Sequence, residues 1–260
     1  MSGVEAEAYS VGRRALIFFP HLHLSPRGPA LLPEFLLALP MLLFALVAHE
    51  VAHGWTALRQ GDDTAYKLGR LTLNPLPHID PMMSVILPAL LWFGSGGAFT
   101  FGGAKPVPVI TRNFRNYVRG DLIVSSAGVI TNFILAIICT LLFVLAGLIH
   151  AWSGGLGTAT VVTAQRMLNW GIYLNLLLGS FNLIPIPPLD GSRLFYHLLP
   201  PAWGLRYRQF DRFGFMILIA LIWLLPGVLG TLLIPAQWGY SHLLDLATPF
   251  AVGTDWHIFR

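Results

Sequence analysis

The feature that most constrains this chain is a pair of histidines and a glutamate inside an apolar segment of membrane length. Residues 31–58 read LLPEFLLALPMLLFALVAHEVAHGWTAL, a mostly apolar run that contains His49, Glu50 and His53. On a helix the two histidines are one turn apart, so both imidazoles project from one face. This spacing predicts a metal site whose glutamate activates metal-bound water. The alternative is a surface pair of histidines beside an unrelated glutamate, but a carboxylate is costly in a bilayer and indicates function there.

The composition predicts a polytopic membrane protein. Hydrophobic residues make up 55% of the 260 residues and charged residues only 11%, and the mean hydropathy is +0.66. Such a chain cannot cover a soluble surface with polar groups. The net charge of +4 is spread among loops without forming a stripe, so we expect no nucleic-acid partner. The single cysteine, Cys139, excludes an intramolecular disulfide.

Five apolar segments approach or exceed the roughly 20 residues that cross a bilayer, namely about 31–58, 82–98, 121–149, 167–184 and 213–235. After the second comes GAFTFGGAKPVPVI, residues 97–110, which is too rich in glycine and proline for a helix. It predicts either a re-entrant β-hairpin beside the site or an ordinary surface hairpin. The expected fold is an all-α polytopic membrane protein with about five transmembrane helices and a short re-entrant β-hairpin.

The distribution of basic residues predicts the orientation in the membrane. Eleven of the 16 Lys and Arg residues lie on loops that can share one side, whereas the loop 150–160 has none. The shared side is therefore cytoplasmic, although Arg13, Arg14 and Arg27 argue the other way. His53 precedes Arg59 by six residues, which places the site roughly 9 Å inside the cytoplasmic end at 1.5 Å per residue.

These patterns divide the chain into three parts. Residues 1–30 do not match a signal peptide, because Glu5 and Glu7 stand where a signal peptide would be basic. They are expected to be an interfacial or disordered tail. Residues 31–191 form the expected catalytic membrane core. Residues 192–260 form a C-terminal helix and an interfacial tail.

A catalytic zinc needs three protein ligands and an open position, and Asp190 is the candidate for the third. It closes the fourth apolar segment in FNLIPIPPLDG, residues 181–191. The prolines prevent a continued helix and Gly191 permits a tight reversal. A carboxylate on this stiff, unwound segment could be aimed at a metal, or Asp190 could cap a following helix. The local sequence leaves both possibilities open.

Several motifs together resemble a known family. HEVAH, RLTLNPLPHIDP, GGAKPVPV, AGVITN and FNLIPIPPLDG are similar, in this order, to the motifs of the site-2 protease family of intramembrane zinc metalloproteases. The chain looks like the compact subgroup without a PDZ domain. The resemblance implies that His49, His53 and Asp190 hold Zn²⁺ and that Glu50 is the catalytic base. It also implies a transmembrane protein or peptide as substrate.

The remaining candidates are polar or glycine positions near these motifs. Asn132 in an apolar helix could form an interhelical hydrogen bond, or serve catalysis as an oxyanion donor or a clamp on the substrate; the resemblance favours catalysis. Asn182 is a weaker candidate of the same kind. Gly103 and Lys105 are expected to bind substrate on the hairpin. Two departures from the family pattern are Val129, where a proline usually follows the glycine, and Gly103 in place of an aromatic residue.

The sequence therefore predicts a protease that cleaves transmembrane substrates with zinc-activated water, in a prokaryotic inner membrane with its active site toward the cytoplasm. The lipid bilayer is the expected environment. A rival is a zinc-handling membrane protein, which would need His, Asp and Glu on several segments to form a path. A second rival is an inactive scaffold, against which the intact Glu50 argues. Substrate identity and oligomeric state are not encoded in these motifs.

Overall fold

The computed structural model describes residues 31–97, 100 and 102–258, and these contain helices but no β-strand. Single helical turns occur at Leu76–His78, Thr111–Asn113, Asp211–Phe213 and Thr248–Phe250, and a π-helical turn, Pro81–Ile86, precedes α3. The α-helices are α1 (Leu31–Gln60), α2 (Thr64–Lys67), α3 (Leu87–Gly94), α4 (Tyr117–Trp152), α5 (Thr158–Asn182), α6 (Asp190–Leu198), α7 (Pro201–Arg208), α8 (Gly214–Leu224), α9 (Pro226–Leu232) and α10 (Ile234–Ala247). The helical fold class is confirmed. The predicted tail 1–30 lies outside the described residues.

The long helices α1, α4 and α5 pack together and form the core of the structure. Helices α1 and α4, of 30 and 36 residues, are long and apolar enough to cross a membrane; at 1.5 Å per residue they measure about 45 and 54 Å. The five predicted spans are not confirmed as a count. The second segment ends as a helix at Gly94, and the fifth divides between α8 and α9.

Buried polar side chains fix the helices against one another. Glu34, in the first turn of α1, accepts a hydrogen bond from the Trp170 indole at 2.9 Å and pairs with Arg166, both on α5. Gln165 donates to the Phe250 carbonyl at 2.9 Å and accepts from the Val252 amide at 2.8 Å. In an apolar core each such group needs its partner, so these bonds specify the register of α1 and the C-terminal turn against α5.

The stretch 102–110 is extended but pairs with no strand. The amides of Gly103 and Lys105 donate to the carbonyls of Met83 at 3.0 Å and His78 at 2.7 Å, and the Val107 amide donates to the Glu50 carboxylate at 2.7 Å. The predicted β-hairpin is therefore not confirmed: in the described part of 97–110 the bonded backbone amides donate to carbonyls of residues 78–92 and to the carboxylates of Glu50 and Asp62. Residues 98, 99 and 101 lie outside the described chain.

Candidate metal centre

The metal centre is built from one face of α1 and the first residue of α6. His49 and His53 are buried, and their Nε2 atoms are 3.0 Å apart. The Oδ2 atom of Asp190 lies 3.1 Å from each of these nitrogens. The structure thus brings together the three predicted ligands. Asp190 is 141 positions after His49 and 137 after His53 in the chain.

The hydrogen bonds behind the two rings determine where their protons are. The Asn132 amide nitrogen donates to Asn175 Oδ1 at 2.9 Å, so Asn132 presents its oxygen to His49 Nδ1, at 2.6 Å. His53 Nδ1 faces the carbonyl oxygen of Val124 at 2.7 Å. An oxygen acceptor requires a donating N–H, so both neutral rings carry their proton on Nδ1.

Three lone pairs therefore converge on one point. Both Nε2 atoms are acceptors, and Asp190 Oδ2 is buried with no hydrogen-bond donor among the described residues. Such a cluster is unfavourable unless a cation occupies its centre. Tetrahedral zinc with bonds of about 2.0–2.1 Å separates its ligands by about 3.3 Å, close to the distances found. The residues fit Zn²⁺.

Gly128 on α4 leaves the space that this cluster needs. A Cβ at position 128 would lie 2.5 Å from His49 Cε1 and 2.6 Å from the Nε2 atoms of both histidines. A real Cβ never approaches so closely, so only glycine lets α4 pass the two rings. The Asp190 side chain is 18% exposed, which leaves one side of the centre accessible to water.

The local chain explains how Asp190 reaches the histidines. Helix α6 begins at Asp190 and Leu189 occupies the capping position, so the alternative role of Asp190 as a helix cap is wrong. Gly191 is required for close approach rather than for an unusual backbone conformation. A Cβ there would lie 2.2 Å from the Leu183 carbonyl oxygen, so glycine lets α6 start directly against the end of α5.

Glu50 lies beside the ligands and is held by the extended segment 102–110. Its Oε2 accepts the Val107 N–H at 2.7 Å. Pro106 and Pro108 have no N–H, so Val107 supplies the only backbone donor between Lys105 and Val109. The alternation of prolines that suggested a hairpin thus leaves one amide for the glutamate.

The other predicted site residues occupy different environments. Asn132 is fully buried and contacts the ring of His49. Gly103 and Lys105 lie on the extended segment and direct their amides toward the protein. Asn182 donates to the Leu178 carbonyl of its own helix at 3.0 Å, so it is not brought to the metal centre by any contact found.

Several supporting residues were not predicted from the sequence. Asn175 orients Asn132, and Asp62 holds the end of the extended segment through the Ile110 amide at 2.7 Å. The Arg70 guanidinium donates to the Lys105 carbonyl at 2.8 Å. His78 is fully buried and contacts the Thr72 carbonyl at 3.0 Å. Only the polarity of these residues beside apolar segments could have indicated them.

Comparison with known proteins agrees with this geometry. The model of peptidase family M50 matches residues 37–225. A protein of Bacillus subtilis named "Putative zinc metalloprotease YwhC" is 38% identical over 180 residues, covering 69% of this chain and 77% of the relative. A protein of Mycolicibacterium smegmatis named "Putative zinc metalloprotease Rip2" is 33% identical over 189 residues, covering 72% and 67%.

A protein of the same name from Mycobacterium tuberculosis strain H37Rv is 31% identical over 221 residues, covering 82% of this chain and 78% of the relative. No solved structure matches the chain. The family match extends over the HEVAH helix, the extended segment and Asp190, so the resemblance seen in the motifs is confirmed. The chain belongs to peptidase family M50, the site-2 proteases.

Proposed function

We propose that this protein is an intramembrane zinc metalloprotease that hydrolyses peptide bonds of transmembrane proteins or peptides. The observation that carries the proposal is the convergence of three lone pairs, from His49, His53 and Asp190, beside Glu50. The two histidines and Glu50 lie on α1, a helix long enough to cross a membrane. The names of the bacterial relatives support the same chemistry.

The division of labour follows from the donor set. When bound, zinc polarises the scissile carbonyl and acidifies a coordinated water. Glu50 accepts a proton from the attacking water and delivers it to the leaving amine. The Val107 N–H holds one carboxylate oxygen of Glu50, which leaves the other free for the proton. His49 and His53 keep their lone pairs directed at the metal because Asn132 and Val124 hold the opposite nitrogens.

We assign Asn132 to positioning rather than to direct contact with the substrate. Its side chain has no exposed surface, its oxygen accepts from His49 and its nitrogen donates to Asn175. An oxyanion donor must point at the reacting carbonyl, and the amide of Asn132 is occupied by these contacts. Asn182, bonded within α5, has no place in the proposed mechanism.

The substrate is proposed to pair with the outer edge of the extended segment 102–110. In an extended chain alternate residues direct their backbone groups to opposite sides. Gly103, Lys105 and Val107 bond inward, so Ala104 is expected to present its backbone groups outward, whereas the Pro106 carbonyl lies 3.4 Å from the Arg70 guanidinium. An unwound substrate could add there as a strand, with Ala104 supplying an N–H and a carbonyl. Gly103 and Lys105 would then bind substrate indirectly, by anchoring this edge.

Replacing Ala104 by proline tests this edge, because proline removes the outward N–H. We expect cleavage of a transmembrane substrate to be lost while the zinc content stays at one ion per chain. Ala104→Val keeps the N–H and serves as the control for the added bulk. Cleavage at the native rate by Ala104→Pro, or loss of its zinc, would reject strand pairing at this residue.

The same proposal places the enzyme in a prokaryotic cell membrane with about five spans and its site toward the cytoplasm. The named relatives are bacterial proteins, and basic residues cluster on the loops beside the end of α1 that is nearer His53. The lipid bilayer is the surrounding medium, and a transmembrane protein or peptide is the partner.

Glu50→Gln is the decisive variant for this function. We expect it to bind zinc as the native chain does and to cleave no transmembrane substrate, because glutamine cannot accept the proton of water. Zinc is measured by mass spectrometry and cleavage by gel shift of a reconstituted substrate. If the protein is a zinc transporter, Glu50→Gln should reduce zinc flux across vesicles and there should be no cleavage to lose. If the protein is a scaffold, the substitution should change neither zinc flux nor cleavage. Either of those two outcomes would refute the protease.

A further inference from the structure

A polar cavity of about 390 Å³ is lined by residues that adjoin, along the chain, two of the segments that build the metal centre. Its lining includes Thr111, directly after the extended segment 102–110, and Pro187 and Pro188, just before Asp190. The cavity therefore lies between the stretch of chain that holds Glu50 and the stretch that supplies the third metal ligand.

The extended segment leads toward this cavity. Gly102 and Leu42 line one small apolar cavity, the Val107 amide bonds Glu50, and the Ile110 amide bonds Asp62 just after the end of α1. The segment thus runs parallel to α1, from an apolar region to the polar end of the helix. The far end of the segment, at Ile110, therefore adjoins Thr111 of the cavity lining.

Two arginines supply the accessible positive charge of the cavity. The Arg193 side chain is 52% exposed, and its contact with Asp121 is long, at 3.4 Å. Arg208 donates to the Tyr117 hydroxyl at 2.6 Å, and its guanidinium carbon lies 4.1 Å from the Tyr196 ring centroid. Arg193 is therefore the arginine best able to take a new partner.

The acidic groups in the cavity do not cancel this charge. Asp121 is 2% exposed and accepts from His197 Nε2 at 2.8 Å, so it is already paired. Asp211 also lines the cavity and is exposed to solvent. Residues 105–121 and 190–213 together carry eight Lys or Arg against three Asp, and one of those is the metal ligand Asp190. The surrounding potential is positive.

We propose that this cavity binds an acidic side chain of the substrate, in the polar stretch that flanks the cleaved bond on the cytoplasmic side. The inference rests on the proposed proteolytic function and adds a selection rule to it. Arg193 forms the ion pair with the substrate carboxylate, and Arg208 contributes to the potential around it. Substrates with Asp or Glu in this flank are cleaved in preference to those with Lys.

An anionic lipid headgroup has related chemistry and is the competing occupant. The substrate is favoured because the cavity wall includes Thr111, directly after the extended segment, and Pro188, two residues before the metal ligand Asp190. A headgroup site has no reason to share a wall with the chain that carries Asp190.

The test uses the full zinc-loaded chain in bicelles of neutral phosphatidylcholine. Three synthetic transmembrane peptides share one apolar helix with a central Asn-Gly and differ only in the cytoplasmic flank, which is Glu-Glu, Ser-Ser or Lys-Lys. We expect kcat/KM to fall in that order, by about two- to fivefold for each charge, as for other partly exposed ion pairs. The preference should weaken as the salt concentration rises.

Variants assign the preference to the cavity. Arg193→Gln should reduce the Glu-Glu preference by about two- to fivefold, and Arg193→Lys should restore most of it. Arg206→Gln is the matched control, because Arg206 is an exposed arginine of α7 outside the lining, and it should keep the native preference. Binding of the three peptides to the Glu50→Gln chain, by fluorescence anisotropy, should show the same order without any cleavage.

The outcomes separate this inference from the function on which it rests. If the native chain cleaves none of the peptides, the proteolytic function fails, while the binding order still tests the cavity. Equal cleavage and equal binding of the three peptides would overturn the cavity site. An effect of Arg193→Gln that is the same for all peptides and needs phosphatidylglycerol would assign the cavity to lipid and overturn it as well.

Discussion

At the scale of single residues, the metal centre depends on groups that never touch the metal. Each histidine is oriented by an oxygen behind its ring, Asn132 for His49 and the Val124 carbonyl for His53. Such contacts fix the tautomer and the direction of the lone pair. The His49 support is a side chain, which mutation can remove; the His53 support is backbone, which mutation cannot.

Asn132→Ala should weaken zinc binding by about 10–100-fold, the range found when such supporting groups are removed. The change frees His49 Nδ1 and leaves Asn175 without its donor. Asn175→Ala should have a smaller effect, because the oxygen of Asn132 still accepts from His49. Zinc affinity is measured by competition with a chromogenic chelator.

Asn182→Ala is the matched control for this series, because Asn182 bonds only within α5 among the contacts found. It should bind zinc with native affinity. Equal losses in all three variants would contradict the positioning role and indicate a general effect of removing buried amides from the helices.

The histidine spacing and the glutamate were predictable at this scale, because i and i+4 on a helix is a local pattern. The third ligand was not predictable from the residues alone. Asp190 before a helix has the sequence of a common cap, and only the packing of α6 on α4 and the end of α5 turns its carboxylate to His49. The carbonyl of Val124 behind His53 has no sequence signal at all.

At the scale of elements, the extended segment 102–110 depends on contacts distant in sequence. Its glycines and prolines correctly excluded a helix but also suggested a hairpin. The actual acceptors, at His78, Met83 and Glu50, lie 20 to 57 positions away, and no local pattern reveals them. Its far end is held by Asp62, which accepts from the Ile110 amide at 2.7 Å and from the Asn113 side chain at 2.9 Å.

Asp62→Asn should loosen this end of the segment. The new amide group must face either the Ile110 N–H or the donors of Thr64 and Asn113, and so places two donors together. A hydrogen bond to a charged group contributes about 1.5–3 kcal/mol. Its loss should speed hydrogen exchange of the Ile110 amide by about 10–100-fold. We also expect slower cleavage with unchanged zinc content, measured by hydrogen exchange, gel assay and metal analysis.

Asp63→Asn is the control for this change, because Asp63 is half-exposed and pairs with Lys67 on the surface. Exchange at Ile110 should stay native in that variant.

Burial raises the pKa of Asp62, but hydrogen bonds from Ile110, Thr64 and Asn113 outweigh it and hold the pKa below its usual range. A lowered pKa stabilises the folded state fully when the pH is above about 3.9, the pKa of an unperturbed Asp. This stabilisation is lost as the pH falls through the folded-state pKa. A native exchange rate in Asp62→Asn at neutral pH would contradict the anchoring role.

At the scale of the whole molecule, long apolar runs predicted the main helices but not their number as membrane spans. The first and third segments correspond to α1 and α4, which are long and apolar enough to cross a membrane. The fourth corresponds to α5, which carries buried Gln165, Asn169 and Asn175 and so is less apolar than its position in the core suggests. The fifth divides near Leu225 because Pro226 cannot continue the hydrogen bonds of α8.

The zinc site joins α1 to α6 across α4, so the ion should stabilise the whole fold. Binding to the folded state alone contributes about 4 kcal/mol when free zinc is 1,000-fold above its dissociation constant. A chelator should therefore lower the thermal unfolding temperature of the native chain by several degrees, measured by scanning fluorimetry in detergent.

Gly128→Ala, whose Cβ would meet both histidine rings, should bind little zinc and respond little to the chelator. Gly239→Ala, whose Cβ would lie 3.5 Å from Leu176, should respond as the native chain does. An equal drop in both variants would show that the ion stabilises the protein somewhere other than at His49, His53 and Asp190.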